Sequence, residues 1–456
     1  MPATKRPGTH QFGKSSGIVL DIGIVGAGIA GLTAAAAATL IRLGHSVYER
    51  SRFANKLGAA VNVGPNAAPV LDAIGFDRKK ARLVEVMEGK QFDGATLKVN
   101  YSGKYDDFAS RFHAPWYFSH RVDLHNELKR LALEPPAGVT PATLHLSSPV
   151  ASVDCEAGLL KFQDGTELQK DLIVGADGLH SVVARSVLGT DIPAGVVNEC
   201  AYRFLIPTSK LLNNLVTKPL FQEDVATFHV ATGSDRRLVW YPCRDGQVQN
   251  FVALHPSSVY KKGPAAKEDW HGRGNVDDLV ETFSGFHPSL VEICRHARLR
   301  SLWLKTLRDL SDVAAGLISN AEDLKLWQLA YRGPIRQWTS GKAILIGDAA
   351  HPMLPHQGQG ANQAIEDAGA LGVFLANVKD RNEVPRRLES VQNIRRDRAG
   401  AMQIFSNAGQ DESHRIEKEV QPFIKGPVPK NQAEFHDWNF SYNILTDCQD
   451  NVARLY

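Results

Sequence analysis

The chain has 456 residues, 43% of them hydrophobic and 22% charged, which is the composition of a globular protein large enough for two or three domains. Fifty-two Lys and Arg residues against 49 Asp and Glu residues leave a net charge of +3, too small to favour nucleic acid as a partner. The densest basic runs, residues 386–387 and 395–398, are interpreted as solvated faces of a helix.

Five cysteines are spread along the chain without CxxC or Cys/His spacing, so neither a disulfide framework nor a metal site is expected. Residues 1–17 are polar and basic and are predicted to be a disordered tail rather than a secretory signal. The longest apolar run, residues 34–40, is far short of the roughly 20 residues that a membrane span needs. We therefore expect a cytoplasmic protein without membrane insertion.

A glycine turn near the N-terminus predicts a dinucleotide site. The apolar run at residues 21–25 is followed by Gly26, Gly28 and Gly31, and then by an alanine-rich stretch to about residue 43. This order is typical of a strand, a turn and a helix, in which Gly28 lets a pyrophosphate approach the backbone and Gly31 lets the helix pack on the strand. The N-terminus of that helix would offer its free N–H groups to the phosphates.

Glu49 strengthens this interpretation. It ends a predicted second strand, residues 46–49, at a distance of about 20 residues from the glycines, where a carboxylate can accept hydrogen bonds from ribose hydroxyls. The turn and Glu49 together predict dinucleotide binding, but they do not separate NAD from FAD.

Two later segments repeat the pattern of a buried strand that ends in an acidic turn. Residues 171–176 lead to Asp177, residues 343–347 lead to Asp348, and a further glycine turn at residues 358–362 precedes another helix. With these ordered motifs the chain resembles the class A FAD-dependent aromatic monooxygenases, most closely the salicylate hydroxylase-like group, along nearly its whole length. The resemblance extends to Gly64-Pro-Asn66-Ala67, His120-Arg121-Val-Asp-Leu124, Tyr202-Arg203, Tyr241-Pro242, Lys325-Leu-Trp327 and residues 347–362.

The resemblance implies FAD as cofactor, NADPH or NADH as cosubstrate, and O2. Arg121 would lie beside the phosphate and ribitol, Asp177 on the side where nicotinamide arrives, and Asp348 at the ribityl hydroxyls. Backbone N–H groups of Gly360, Ala361 and Asn362, at the start of the helix that follows the glycine turn, would meet the flavin pyrimidine oxygen. For Asp177 and Asp348 the alternative is that each merely caps the following helix. The implied cofactor residues are Gly26, Gly28, Gly31, Glu49, Arg50, Arg121, Asp177, Asp348, Gly358, Gly360, Ala361 and Asn362.

The same resemblance implies oxygen transfer to an electron-rich ring through a flavin C4a-hydroperoxide, without a metal. Arg203 and Tyr241, on predicted strands, would hold a substrate oxyanion, and Pro355 would line the oxygen side of the flavin. The alternative for Arg203 is a structural ion pair at a sheet edge, and for Tyr241 a core aromatic with a satisfied hydroxyl. For Pro355 the alternative is a loop stiffener.

Histidines could transfer protons near neutral pH, but none is predicted as the base; the three considered are His113, His351 and His356.

Two positions depart from the family pattern. Ala184 stands where an arginine is usual, and Arg185 follows it on another helix face, so a cofactor role for Arg185 is not expected. Ala60 stands where relatives often have glycine, and the long segment at residues 297–320 has no functional interpretation.

We predict an α/β protein: a Rossmann-like FAD-binding domain of the glutathione reductase type, with an inserted antiparallel-sheet substrate domain and C-terminal helices. Strands are predicted at residues 226–231, 237–241 and 249–253, and a helical stretch at about residues 281–330. The predicted domain limits are 18–95, 118–196 and 325–380 for the FAD-binding domain, 96–117 and 197–324 for the substrate domain, and 381–456 for the C-terminal helical segment.

The expected activity is that of an FAD- and NAD(P)H-dependent monooxygenase, a monomer or homodimer. Its small aromatic substrate would be of the phenol, aryl carboxylate or indole type. Two alternatives stay open because a fold does not fix a function. One is a flavin-dependent reductase or oxidase that adds no oxygen, and the other is a non-catalytic FAD-binding protein.

Overall fold

The computed structural model describes residues 17–52, 60–259, 274–297, 324–408 and 416–455. The predicted disordered tail, apart from residue 17, and the long segment, apart from residue 297, lie outside the described residues. None of the helices in these ranges combines the length and the apolar character that a membrane crossing requires.

The strands are numbered in chain order. They are β1 (Asp21–Val25), β2 (Gly44–Tyr48), β3 (Ala60–Val63), β4 (Val84–Glu85), β5 (Glu88–Asp93), β6 (Val99–Lys104), β7 (Tyr117–His120), β8 (Thr143–His145), β9 (Val150–Asp154), β10 (Leu159–Phe162), β11 (Glu167–Gln169), β12 (Leu172–Gly175), β13 (Gly195–Pro207), β14 (Thr227–Thr232), β15 (Arg237–Cys243), β16 (Val248–His255), β17 (Lys325–Tyr331), β18 (Thr339–Ser340) and β19 (Ala343–Leu345).

The α-helices are numbered in the same way. They are α1 (Ile29–Leu40), α2 (Ala68–Ala73), α3 (Phe108–Arg111), α4 (Arg121–Leu133), α5 (Val182–Leu188), α6 (Thr208–Asn213), α7 (Val276–Thr282), α8 (Pro288–His296), α9 (Gly360–Leu375), α10 (Val384–Asn407), α11 (Glu417–Val420), α12 (Gln432–Phe440) and α13 (Ile444–Leu455).

The first large sheet carries the nucleotide-binding motifs. Its order is β18-β19-β12-β1-β2-β8, and all neighbouring strands are parallel except β18 and β19. Helix α1 covers one face, and its alanines let it pack closely against α4 and α9. The small sheet β9 to β11 covers the other face, where a Cβ at Gly23 would lie 2.8 Å from the Leu160 side chain. Burial on both faces explains why β1 and β12 are almost uninterrupted apolar runs.

The second large sheet has the order β17-β13-β16-β15-β14-β5-β6. Its pairs are antiparallel except β5 with β14, which are parallel. One face packs on α7 and α8 through an apolar core that includes Trp240, Phe251 and Phe283. The opposite face turns toward β3, since the side-chain oxygen of Asn250 accepts a hydrogen bond from the Ala60 N–H at 3.1 Å.

The structure corrects one prediction of secondary structure. We expected a helical stretch at about residues 281–330, and α8 is helical, but residues 325–331 form strand β17. Trp327 and its neighbours pair with β13. Strand pairing therefore determines the structure of this segment, against the helix that its own residues predicted. The pairing also assigns β5 and β17 to the second sheet, whereas the predicted limits placed them in the FAD-binding domain.

The C-terminal helices pack back onto the first half of the chain. Helix α13 contacts α2 and α9. Phe440 of α12 lies against the start of the Gly64 turn, where a Cβ on the glycine would be 3.0 Å from the ring. This segment therefore borders the region where the nucleotide motifs converge.

Candidate active site

The N-terminal glycine turn has two glycines that the fold requires and one that leaves space open. Gly26 has φ +102°, and a Cβ there would lie 2.4 Å from the Ala176 carbonyl oxygen. A Cβ at Gly31 would lie 2.0 Å from the Gly26 carbonyl oxygen, so α1 can approach the turn only with glycine. A Cβ at Gly28 would meet no protein atom within 4 Å. That free space, beside the first turn of α1, suits a pyrophosphate.

Glu49 is held against this turn. Its carboxylate accepts hydrogen bonds from the Ala27 N–H and the Ser51 N–H, both at 2.9 Å. Each oxygen keeps a further lone pair that can accept from a ribose hydroxyl. Arg50 follows at the surface and is exposed.

A cavity of about 410 Å³ lies beyond Glu49. Tyr48 forms part of its wall and stacks on His145, with ring centroids 5.0 Å apart. The remaining wall comes from residues 147–149 and from the turn between β10 and β11. No residue of the second large sheet lines it, so this cavity is not the place where a substrate would meet Arg203 or Tyr241.

Asp348 lies in a short turn after β19, deep between the elements that surround it. Gly347 precedes it with φ +58°. The Asp348 residue nevertheless keeps access to solvent. Desolvation raises the pKa of its carboxyl, and the charges of His351 and Arg121 oppose that increase. The structure thus brings Arg121, the first residue of α4, into the same environment as Asp348.

Asp177 caps α5, as the alternative interpretation predicted. Its carboxylate accepts hydrogen bonds from the Val182 N–H at 2.7 Å and from the Ser181 hydroxyl at 2.5 Å. Desolvation raises the pKa of Asp177, and these hydrogen bonds oppose that increase. The capping contacts do not test a second role toward a cofactor, which stays a prediction.

The start of α9 is joined to β3 by the Asn362 side chain. Its Oδ1 accepts from the Gly64 N–H at 2.8 Å, and its Nδ2 donates to the Gly358 carbonyl at 3.1 Å. Gly358 has φ +60°, and a Cβ there would lie 2.3 Å from the Asn62 side chain. The N–H groups of Gly360 and Ala361, in the first turn of α9, have no acceptor within the helix and are available to an anion or carbonyl.

Arg203 and Tyr241 lie on the same face of the second sheet. Arg203 pairs with Val252, which pairs with Val239, two residues before Tyr241. The Arg203 guanidinium carbon is 4.5 Å from the centroid of the Trp327 ring. Since β13 is an interior strand, the expected alternative of an ion pair at a sheet edge does not describe its position.

The Tyr241 ring is buried and its hydroxyl is engaged. The ring stacks on Phe118 at 4.6 Å, and the hydroxyl donates to the Ala60 carbonyl at 3.0 Å. Burial raises the pKa of Tyr241 well above the ordinary tyrosine value, and the charge of Arg203 opposes that increase only in part. The hydroxyl is therefore neutral near pH 7, and its oxygen can still accept a hydrogen bond.

Pro355 begins a short helical turn that leads to Gly358 and α9. His356, next to it, has Nε2 3.1 Å from a carboxylate oxygen of Glu199 on β13. The Glu199 carboxylate also lies 3.6 Å from the guanidinium of Arg237. Sequence reasoning missed Glu199, because no motif marks it and only the sheet register brings it to this loop.

The other two histidines differ in position. His351 is fully buried, with Nε2 2.6 Å from an Asp367 carboxylate oxygen. His113 is exposed. Ala184 is buried in α5 while Arg185 is exposed, which agrees with the helix rotation argued from the sequence.

The interpretation of residues 395–398 as a solvated helix face is wrong. Arg395 and Arg398 are 0% and 8% exposed, and both pair with carboxylates of α9. The signal in the sequence was the spacing: arginines three residues apart on α10 share one face, opposite two acidic residues inside an apolar helix. In the other basic run, residues 386–387, Arg387 is also buried and Arg386 faces solvent.

Comparison with known proteins identifies the family. Residues 307–406 match a family model described as an FAD binding domain. An FAD-dependent monooxygenase, phomE' of Diaporthe leptostromiformis, is 32% identical over 410 residues, which cover 90% of this chain and 97% of that protein. The chain belongs to the class A FAD-dependent aromatic monooxygenases. The hispidin-3-hydroxylase of Neonothopanus nambi is another relative of this monooxygenase, 33% identical over 83% of the chain and 86% of that protein.

Solved structures share the fold of this monooxygenase. A salicylate hydroxylase substrate complex superposes with a TM-score of 0.68 at 21% identity, covering 94% of this chain and 97% of that one. CtdE in complex with FAD and a substrate gives a TM-score of 0.72 at 22% identity, covering 95% and 98%. The predicted fold class, the FAD cofactor and the assignment as a flavoprotein hydroxylase are confirmed, whereas the roles of individual site residues stay predictions.

Proposed function

We propose that this monooxygenase inserts one oxygen atom of O2 into a small, electron-rich aromatic substrate that carries a ring hydroxyl, using NADPH or NADH as reductant. One observation carries the proposal. Arg203 and Tyr241 share the sheet face that turns toward β3, and β3 is tied to the start of α9. Through these contacts a cation and a phenol would border the same cleft as the turns that fit a flavin.

The residues around that cleft fit FAD. Space at Gly28 and the α1 N-terminus would take the pyrophosphate, with Glu49 at the ribose and Arg50 near the adenine end. Asp348 keeps access to solvent and would face this cleft, where its carboxylate would accept hydrogen bonds from ribityl hydroxyls. The first N–H groups of α9 would face the flavin pyrimidine oxygen, on which negative charge gathers.

Bound FAD would supply electron transfer from nicotinamide and the activation of O2. The protein would supply orientation and a dry environment. Arg203 would hold a substrate oxyanion, and the Tyr241 hydroxyl oxygen would accept a hydrogen bond from a ring hydroxyl. Pro355, between the Asp348 turn and α9, would shape the oxygen side of the cleft without adding an N–H donor.

A cluster of aromatic side chains would exclude water beside Tyr241. Phe118 and Phe228 lie near its ring, and Trp116 and Phe440 continue the cluster toward the Gly64 turn. Exclusion of water strengthens the interaction between Arg203 and an anionic substrate, because the local dielectric constant is lower. It also protects a reactive oxygenating species from decay.

The names of the relatives narrow the substrate class. One acts on hispidin, and another, from Streptomyces platensis, is a 3-amino-4-hydroxybenzoate 2-monooxygenase that is 31% identical over 78% of this chain. The second name describes an aromatic ring with a hydroxyl, the kind of group that a cation and a tyrosine can orient. We therefore place phenols and hydroxylated aryl carboxylates before indoles as substrates.

The test uses purified protein reconstituted with FAD. Phenols, hydroxybenzoates and indoles are screened for stimulation of NADPH and NADH oxidation, and products from the active compounds are analysed by mass under 18O2. One labelled oxygen atom in the product supports the proposal. Cofactor oxidation with only hydrogen peroxide formed would contradict the proposed oxygenation of these compounds, and no stimulated oxidation with any compound would overturn the proposed substrate class.

The cytoplasmic location and the monomeric or homodimeric state are also proposals. Light scattering coupled to size-exclusion chromatography measures the molar mass directly, and one chain has a mass of 49.9 kDa. A mass near one or two chains agrees with the proposal, and a mass near four chains contradicts it.

A further inference from the structure

Four charged side chains are buried together between α9 and α10. We call Glu366, Asp367, Arg395 and Arg398 the buried charge cluster. Glu366, Asp367 and Arg395 are 0% exposed, and Arg398 is 8% exposed. Two carboxylates and two guanidiniums balance in charge. Such a group is costly to desolvate, and removal of one partner leaves an uncompensated charge.

The contacts inside the cluster are close and directional. Arg398 donates two parallel hydrogen bonds to the Glu366 carboxylate, at 2.7 and 2.8 Å. Arg395 donates to Asp367 at 2.8 Å and also contacts Glu366. Burial opposes ionisation of Asp367, but the charges of His351 and Arg395 outweigh it and lower the pKa to about 2. Burial likewise opposes ionisation of Glu366, but the charges of Arg398 and Arg395 lower its pKa, so both carboxylates stay charged at neutral pH.

The cluster is joined to the turn after β3 and to two of the turns that we propose for FAD. Glu366 accepts a hydrogen bond from the Asn66 amide at 2.6 Å, in the turn after β3. Asp367 accepts a hydrogen bond at 2.9 Å from the N–H of Gly347, which is the residue before Asp348. Asn66 also donates to Gln359 at 3.2 Å, directly before α9. The turn after β3 is nearly 300 residues from the other two in sequence, and all three meet at one set of charges.

The C-terminal helix α12 is joined to the same cluster. Arg398 donates to the side-chain oxygen of Asn439 at 2.9 Å and to its backbone carbonyl at 3.1 Å. The next residue, Phe440, packs against Gly64. The Arg398 guanidinium carbon also lies 4.0 Å from the centroid of the Tyr442 ring. One arginine thus connects α9, α10 and the C-terminal segment.

We propose that the buried charge cluster is a positioning device for FAD, which sets the three turns in one register, and that α12 completes it through Asn439. This inference rests on the proposed placement of FAD. A bidentate ion pair in a low-dielectric interior has a narrow range of favourable geometries, so it fixes the elements that carry it. Loss of one partner would displace Asn66 and α12 together. The turns that we propose for FAD would then hold the cofactor less tightly.

The competing explanation is that the cluster only stabilises the fold. In that case its loss lowers the melting temperature of the protein, but the protein that remains folded binds FAD as tightly as before. FAD affinity, the flavin reduction potential and the visible circular dichroism of bound flavin separate the two explanations, because each responds to the geometry around the isoalloxazine.

The test compares the variants Arg398→Met, Arg398→Lys and Asn439→Ala with Arg396→Met. Arg396 is the matched control, since it lies on the same helix and pairs with Asp397 at the partly exposed surface. The apparent Kd of FAD for each apoprotein is measured by flavin fluorescence, together with the reduction potential, the dichroism of the loaded protein and the melting temperature of the apoprotein.

We expect Arg398→Met to raise the Kd at least tenfold, Asn439→Ala at least threefold, and Arg398→Lys by an intermediate amount. The flavin potential or dichroism should change in all three, while Arg396→Met stays within twofold of the wild type. If Arg398→Met does not fold, the two milder variants decide. Wild-type affinity and spectra in both would overturn the inference alone, whereas a wild-type protein that does not bind FAD would overturn the proposed site with it.

Discussion

Tyr241 and Ala60 are joined by a hydrogen bond from the tyrosine hydroxyl to the backbone carbonyl, at 3.0 Å and across 181 residues of sequence. The N–H of Ala60 donates in turn to Asn250 on the neighbouring strand. Both backbone polar groups of Ala60 are therefore satisfied by the second sheet. These two hydrogen bonds hold the second sheet in a fixed position relative to β3. They would thereby set the distance between a substrate on that sheet and a flavin bound by the first half of the chain.

Substitution Tyr241→Phe tests the role of this hydrogen bond. It keeps the ring stacked on Phe118 but leaves the buried Ala60 carbonyl without its donor, which costs about 1 to 3 kcal/mol of stability. If Tyr241 also orients the substrate, KM for a phenolic substrate should rise roughly tenfold, because a change of this size corresponds to the loss of about one hydrogen bond. Chemical denaturation and steady-state kinetics measure the two effects.

The control for this prediction is Tyr101→Phe, because Tyr101 lies on the edge strand β6 of the same sheet and is 44% exposed. It should leave KM unchanged and lower stability less than Tyr241→Phe does, because it removes only a hydrogen bond to Tyr105 at the sheet edge. A Tyr241→Phe protein that loses stability but keeps wild-type kinetics would assign the residue to structure alone.

Arg203 is the second residue that the proposed chemistry needs. Arg203→Met removes the charge but keeps an apolar side chain over Trp327, so the fold should persist. Loss of a charge-assisted contact to a substrate oxyanion lowers kcat/KM by roughly 10- to 100-fold, since such contacts contribute about 1.5 to 3 kcal/mol. Arg295→Met, which breaks an exposed pair with Glu292, is the control. Unchanged kcat/KM in Arg203→Met would remove Arg203 from the mechanism.

The nucleotide-binding half could be predicted from sequence because its signals are local. Gly26, Gly31 and Glu49 stand at spacings that follow from one strand, one turn and one helix, and the structure has those elements at the predicted places. Buried strands such as β12 were likewise visible as apolar runs. In each case the residues that matter to one another are separated by about 20 positions or fewer, within the reach of a local pattern.

The features that sequence reasoning missed depend on long-range pairing. Arg395 and Arg398 look like surface arginines until α10 is packed on α9, because the acidic residues that neutralise them are about 30 positions away. Trp327 was placed in a helical stretch because strand β17 is defined by its partner β13 rather than by its own residues. Glu199 meets His356 only through the sheet register.

Two glycines of the N-terminal turn should respond differently to the same substitution. At Gly28 a Cβ meets no protein atom within 4 Å and φ is −76°, so Gly28→Ala should fold with unchanged apoprotein stability. The methyl group would occupy the space proposed for the pyrophosphate, and the Kd of FAD should rise at least tenfold, or about 1.4 kcal/mol. At Gly31 the Cβ would collide with the Gly26 carbonyl, so Gly31→Ala should destabilise the apoprotein itself.

Apoprotein melting temperatures and FAD titrations measure this contrast. Gly285→Ala is a suitable control, because a Cβ there also meets no atom within 4 Å but the residue lies beside α7, outside the proposed cofactor site. If Gly28→Ala bound FAD like the wild type, the pyrophosphate would not lie where we propose.

We expect His436 to make the stability of the protein dependent on pH. Its ring is buried against Phe440, with centroids 5.0 Å apart, and desolvation with help from Arg111 lowers its pKa from 6.5 to about 4. Between these two values the unfolded chain binds a proton that the folded chain does not, so stability falls as the pH drops from about 6.5 to about 4. For a single histidine with these pKa values, the loss between pH 7 and pH 5 is about 2 kcal/mol.

Substitution His436→Phe should remove that share of the pH dependence, because phenylalanine fills the aromatic site and does not titrate. We expect the variant to lose about 2 kcal/mol less than the wild type between pH 7 and pH 5 in urea denaturation. Other buried histidines, such as His120 and His229, keep lowered pKa values, so part of the dependence should remain. The exposed His113 supplies the control as His113→Asn, a residue that tolerates its φ of +60°. A His436→Phe curve parallel to the wild type would show that His436 is protonated equally well in the folded chain.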